Sequence, residues 1–187
     1  MSLFKKIQEK IIPVSTSESA VIVSTPSNIK HEFVNFQSAY RIGILSNYTD
    51  SFSQEIISNY KKQIEKFGYE CEVLLFVDKK EKDHNVFLQY YNWEDLDRKA
   101  MLPYSPKTDR FIFKKYDLLL NLYLQPIPSL LHISKMSHAK CRVGPYIESM
   151  KDCLDLLIPK KEGEDIEQLI KDINEILILK KYERKDV

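Results

Sequence analysis

Residues 41–77, RIGILSNYTDSFSQEIISNYKKQIEKFGYECEVLLFV, decide the fold. RIGILSN (41–47) is a short apolar run that ends in polar residues, the composition of a buried strand. TDSFSQ then offers a helix start: Asp50 or Ser51 can accept a backbone N–H, and Gln54 stands three after Ser51, as in a capping box. Phe52, Ile56, Tyr60, Ile64 and Phe67 follow at intervals of four and three, which sets one apolar stripe on a helix. Gly68 stands where a left-handed cap belongs, and CEVLLFV (71–77) is a second buried-type strand. Strand, helix, glycine stop and strand in 37 residues predict a right-handed βαβ unit.

The rhythm continues downstream. Residues 79–115 are irregular, with a short strand expected around 86–91 and a helix leading into FIFKKY. DLLLNLYL (117–124) is the most apolar strand, and Pro126 and Pro128 open the helix after it. AKCRVG (139–144) and DLLIP (155–159) read as two more strands. In the closing GEDIEQLIKDINEILILKK, Ile166, Leu169, Ile170, Ile173, Ile176 and Leu177 form a helical stripe. Acids lead that helix and lysines end it, as the macrodipole favours. Strands that are apolar throughout are buried on both faces, as in a parallel sheet. The expected fold is therefore α/β: a single three-layer Rossmann-like domain over 39–181 with a mostly parallel five- or six-stranded sheet. Strands 41–47 and 117–124 should lie side by side at its centre. An N-terminal amphipathic helix and extended connector (1–38) precede the domain, and a polar tail (182–187) follows it.

Composition bounds the function. A chain of 187 residues with 43% hydrophobic and 29% charged residues suits one self-sufficient domain. Its 28 basic and 27 acidic residues lack the basic excess of a nucleic-acid binder, so no nucleic acid is expected as a partner. Cys71, Cys141 and Cys153 are odd in number and widely spaced, which predicts buried or half-buried thiols in a reducing compartment. No apolar run reaches the ~18 residues of a membrane span. MSLFKKIQEKII lacks the apolar core and cleavage site of a secretion signal, so the expected location is cytoplasmic. Within residues 2–12, Leu3, Phe4, Ile7 and Ile11 recur at helical spacing among Lys5, Lys6, Glu9 and Lys10. That segment is either a helix packed on its own domain or a docking helix for a partner or membrane surface.

In an open parallel sheet, ligands bind beyond the carboxyl ends of the strands, where the strand order reverses. The candidate ligand-binding residues at that edge are Asn47, Tyr48 and Thr49, then Asp78 and Lys79, then Tyr123 and Gln125, then Gly144 and Tyr146. Asn121 is either a hydrogen-bonded core group or a site residue. The chain has four glycines and no glycine-rich phosphate loop, so no cofactor is expected. Asp50 further opposes an anion at the first helix. His31, His84, His132 and His138 do not pair at ligand spacing, so no metal is expected either. Arg142 could lower the pKa of Cys141, against the alternative of an inert core thiol. Tyr90, Tyr91, Trp93 and Tyr104 could stack on a ligand or simply close one side of the domain.

Two resemblances add to this reading. KKYDLLLNLYLQPIPSLLHISKMSHAKCRVGPY (114–146) resembles part of the N-terminal half of heptosyltransferase-type glycosyltransferases of the GT-B fold. The matching residues are Tyr116, Asp117 and Leu118, then Ala139, Lys140, Arg142 and Gly144, with Asn121 replacing the family's second acid. The resemblance implies a Rossmann-like fold and, as one alternative, a small-molecule or nucleotide-sugar-related protein built as a degenerate half of such an enzyme. Across 40–180 the IGIL strand, VDKK, DLLLNL and AKCRVG also resemble an uncharacterised Bacteroidetes family of small α/β proteins. No nucleophile, paired carboxylates or phosphate loop stands out. The leading expectation is a non-catalytic binding protein whose partner is another protein.

Overall fold

A computed structural model describes residues 30–78, 86–97, 99, 102–160 and 163–180. The expected N-terminal helix, Lys79, His84 and the 182–187 tail lie outside the described residues. The strands are β1 (Arg41–Tyr48), β2 (Glu70–Val77), β3 (Tyr90–Tyr91), β4 (Leu118–Leu122), β5 (Cys141–Pro145) and β6 (Leu156–Ile158). The helices are α1 (Ser51–Lys66), α2 (Pro106–Phe113), α3 (Pro128–Met136) and α4 (Ile166–Ile176). All six strands are parallel, in the order β3-β2-β1-β4-β5-β6. The fold is Rossmann-like, and β1 and β4 are neighbours at its centre, as expected.

Alternation along the strands divides the core in two. Ile42, Ile44, Val73, Leu75, Leu118, Leu120, Leu122 and Val143 face α1 and α4. Leu45, Leu74, Phe76, Leu119 and Tyr123 face α2 and α3. β4 is buried at every position, the pattern of a strand covered on both faces. Gly43 is needed on the second face, because a Cβ there would lie 3.1 Å from both Leu119 and Tyr116.

Four local expectations need correction. Asp50 is the N-cap of α1, but its capping-box partner is Ser53, three residues on, and not Gln54. Gln54 is buried, and its side-chain oxygen accepts the amides of Phe87 (2.9 Å) and Leu88 (3.3 Å). Those amides are thereby withdrawn from the sheet, which is why the strand expected over 86–91 shrinks to Tyr90–Tyr91. The apolar stripe of α1 is also rotated: Ile57, Tyr60 and Ile64 are buried while Phe52 is 66% exposed. Finally, α4 stops at Ile176, before the lysines. The amide of Leu179 turns back to the carbonyl of Asn174 (2.9 Å), with Ile178 between them at a left-handed φ of 57°.

Candidate functional site

The strand order reverses between β1 and β4, so the carboxyl edge at that point is where this topology offers a site. The hydroxyl of Ser46, on β1, donates to the carbonyl of Leu122, at the end of β4, and ties the two strands together there. Directly beyond lies the N-terminus of α1, whose free amides carry the positive end of the helix dipole. Asp50 already answers it. Its carboxylate accepts the Ser53 amide at 2.7 Å, and the Ser53 hydroxyl accepts the amides of Thr49 (3.3 Å) and Asp50 (3.2 Å). Three of the amides at this turn, those of Thr49, Asp50 and Ser53, are thus bonded within it, and a negative charge stands among them.

Across the switch point the expected lining residues turn inward. Tyr123 is fully buried, and its hydroxyl donates to the side-chain oxygen of Asn121 at 3.3 Å. Burial drives that phenol well above its ordinary pKa, so it is a fixed neutral donor. The Asn121 amide nitrogen donates to the carbonyls of Val143 (3.2 Å) and Leu119 (3.4 Å). Asn121 is thus a satisfied core group that bridges β4 and β5. Gly144 belongs to the same contact: a Cβ there would lie 2.9 Å from Asn121 Cβ and 3.2 Å from its carbonyl oxygen.

The remaining candidates are spread along the edge. Asn47 and Tyr48 are half-buried, while Thr49, Asp78 and Gln125 are exposed. Asp78 accepts the indole N–H of Trp93. Tyr146 donates to the Glu148 carboxylate at 3.0 Å. Lys160, which sequence reasoning did not single out, donates to the carbonyl of Leu124 at 3.2 Å. The aromatic cluster also divides. Tyr91 is buried, bonded to Ser129 (3.0 Å) and packed on Phe76, while Trp93 meets Phe76 edge-on. Tyr90 lies under the Lys107 ammonium, 5.4 Å from its ring centroid, and Tyr104 is 79% exposed. Three of the four help close the β3 side of the domain; only Tyr104 projects.

Burial also decides the thiols. It raises the pKa of Cys141 and outweighs Arg142, which favours the inert core thiol over activation. It raises Cys153 as well, and pushes Cys71 up to about 12. Burial holds the His132 imidazole below its usual value. His138 meets Phe113 edge-on at 5.2 Å, and His31 lies 3.3 Å from Asp155. Among the described residues, no group of three or more His, Cys, Asp or Glu side chains is placed to hold a metal ion.

Charge collects at the opposite, amino edge. Across the sheet from β2 to β6, the residue that opens or precedes each strand alternates in sign: Glu70, Arg41, Asp117, Lys140, Asp155. Arg41 lies 3.5 Å from Glu70, and Lys140 lies 2.9 Å from Asp117. Asp117 also accepts the backbone amides of Tyr40 (3.0 Å) and Arg41 (2.9 Å). Burial alone would raise the Asp117 carboxyl, but the Arg41 amide, Lys140 and the Tyr40 amide together hold it below the usual carboxylate range. Asp155 likewise overcomes burial, through two side-chain bonds from Arg142 (2.9 and 2.8 Å) and one from its amide (2.8 Å). Lys114 reaches both Glu70 (2.8 Å) and Glu72 (3.0 Å), and Glu72 accepts the hydroxyl of Tyr116 at 2.6 Å.

Among the described residues, no helix is long and apolar enough to cross a membrane. A comparison with curated proteins finds no match. A family of unknown function, DUF6913, matches residues 21–179, which is most of the chain and contains every described strand and helix. With both edges of its sheet accounted for, the chain is a Rossmann-like α/β protein that belongs to DUF6913.

Proposed function

We propose that this protein is a non-catalytic binding module whose partner is another protein. The observation that carries this reading is the closed switch point. Asp50 fills the helix N-terminus where an anionic ligand would sit, and Tyr123, Asn121 and Gly144 bond or pack inward. The segments that follow the strands on the same edge present exposed aromatic rings: Phe52 in the first turn of α1, Phe87 after β2, Tyr104 after β3 and Tyr146 after β5. Aromatic side chains of this kind are enriched where proteins meet, because each buries a large area at low conformational cost. Gln54 ties the Phe87 backbone to α1, which gives that part of the surface a fixed shape.

The small-molecule alternative places a ligand against Asn47, Tyr48 and Gln125 beside Lys160. One experiment separates the two readings. Native mass spectrometry of gently purified protein, followed by denaturation, should give the mass of the chain alone. A released small molecule whose occupancy falls in Asn47→Ala would overturn the proposal in favour of the ligand. The converse support is a protein that co-purifies with the chain and is lost in the Phe52→Ser, Phe87→Ser variant while the variant's thermal unfolding is unchanged.

A further inference from the structure

Strand β2 has one complete ladder and one broken one. On its inner side all eight residues, Glu70–Val77, are in register with β1. On its outer side only Leu75 and Phe76 pair, with Tyr90 and Tyr91 of β3. Residues 70–74 have no neighbouring strand on that side among the described residues, a length of about 16 Å at the usual strand rise.

The bonds that do form fix the backbone directions. The Glu70 amide donates inward to the carbonyl of Tyr40 (3.0 Å), and the Leu75 amide donates outward to that of Gln89 (2.9 Å). Backbone groups alternate in direction along a strand. The amides of Glu72 and Leu74 therefore point at β1, and those of Cys71 and Val73 point outward. A longer β3 would serve them: the Gln89 amide would reach the Val73 carbonyl, and the Val73 amide the carbonyl of Phe87. Neither bond is made. Gln54 instead holds the amides of Phe87 (2.9 Å) and Leu88 (3.3 Å), so the chain's own segment is tied to α1 and kept off this flank. No described residue accepts the outward amides of Cys71 and Val73, and such a row is a template for another strand.

We infer that the outer flank of β2, on the amino side of β3, is a strand-addition site for an extended segment of a partner protein. The occupant is extended backbone, because only a strand repeats donors and acceptors at the spacing of Cys71 and Val73. A second copy of β2 fits badly, since pairing residues 70–74 with their own copy about the midpoint sets Glu72 opposite Glu72. On the α2 face the flank carries the ion cluster of Glu70, Lys114 and Glu72, charge of the kind that guards a sheet against indiscriminate pairing. On the α1 face stand Cys71, Val73, Val86 and Leu88, all apolar. The added segment therefore alternates, with apolar side chains toward α1 and polar ones toward Glu72. This flank is separate from the carboxyl edge, and the inference does not rest on the aromatic rings there.

The test uses the full chain and a short probe peptide of alternating valine and threonine with a lysine at each end. The probe is N-methylated on alternate residues, so that only one of its sides can pair. Amide hydrogen exchange is followed residue by residue by NMR. Without the probe, Cys71 and Val73 should exchange much faster than Glu72 and Leu74. With the probe at about ten times its dissociation constant, exchange at Cys71 and Val73 should slow roughly tenfold while Glu72 and Leu74 stay as they were. A fully N-methylated peptide should change nothing. Three results overturn the inference. Cys71 and Val73 as protected as their neighbours in the free chain would mean that the flank is already covered. No slowing up to the solubility limit of the probe would mean that it takes no strand. Protection that rises with protein concentration alone would assign the flank to a second copy.

Discussion

The two edges of the sheet are built on different principles. At the amino edge, charged side chains of alternating sign stand where each central strand begins, and the bonds run from strand to strand. At the carboxyl edge, Asp50 and Ser53 bond within one turn, Asn121 and Tyr123 turn into the core, and exposed polar residues such as Thr49, Asp78 and Gln125 stand among exposed aromatic rings. In this topology the carboxyl edge is the end that ordinarily serves ligands. Here its helix N-terminus carries its own counter-charge, while the opposite end holds the ion pairs that run between neighbouring strands. The contrast separates two uses of charge. Most amino-edge pairs are substantially exposed and worth little singly. The energy should therefore concentrate where a partly buried carboxylate also holds backbone amides, at Asp155 and Asp117.

The largest test of that division is Arg142→Met. It leaves the Asp155 carboxylate without its bidentate partner in a partly buried place, and should cost about 3 kcal/mol in denaturant unfolding. A loss below ~1 kcal/mol would mean that the amino-edge charges are dispensable. Gly144→Ala probes the other edge through packing alone, because its Cβ meets Asn121 at 2.9 Å; destabilisation by about 2 kcal/mol is expected.

Asp117→Asn should cost about 1–2 kcal/mol at neutral pH by weakening the bonds to the Tyr40 and Arg41 amides. It also carries a pH signature. The folded-state pKa of Asp117 is lowered, so its contribution is fully present above the ordinary carboxylate value near pH ~4 and is lost as pH falls through the lower folded value. The acid decline of stability should therefore be shallower in Asp117→Asn than in the parent, as read by thermal unfolding across a pH series. Asp50→Ala should show the smallest loss, about 1 kcal/mol for an N-cap. Asp50→Asn keeps the cap and removes the charge. If inorganic phosphate then raises the melting temperature of Asp50→Asn but not of the parent, the carboxyl edge differs from an anion site by one charge.

How much of this was legible in the sequence depends on whether the deciding contact is local. β1, β2, β4 and β5 announce themselves because strands buried on both faces are apolar throughout. α4 does so because a stripe such as Leu169, Ile170 and Ile173 has one period. β3 was over-read, because whether residues 86–89 join the sheet turns on Gln54, more than thirty positions earlier in the chain. The face of α1 was misjudged for a related reason: Gln54 and Ser58 are buried polar residues, so hydrophobicity alone points the helix slightly wrong. Asn121 and Gly144 could each be noticed, but not that they are two halves of one contact across neighbouring strands. The amino-edge charges were visible too. In chain order they read Arg41, Glu70, Asp117, Lys140, Asp155, without a pattern; the alternation exists only once the strands are placed in their spatial order.

The central position of β1 sets a timetable for assembly on the ribosome. It is the first of the described strands to be made, and one of its two neighbours, β2, follows after a single helix, α1. Its other neighbour, β4, begins about 70 residues later. At roughly 5–20 residues per second, that flank of β1 waits about 4–14 s for its hydrogen-bonding partner. During that interval Ile42, Ile44 and Leu45 belong to an incomplete sheet, the kind of surface that chaperones recognise. Synonymous slowing of translation within 79–115 would lengthen the wait without altering a single residue of the finished protein, and should lower the yield of soluble chain.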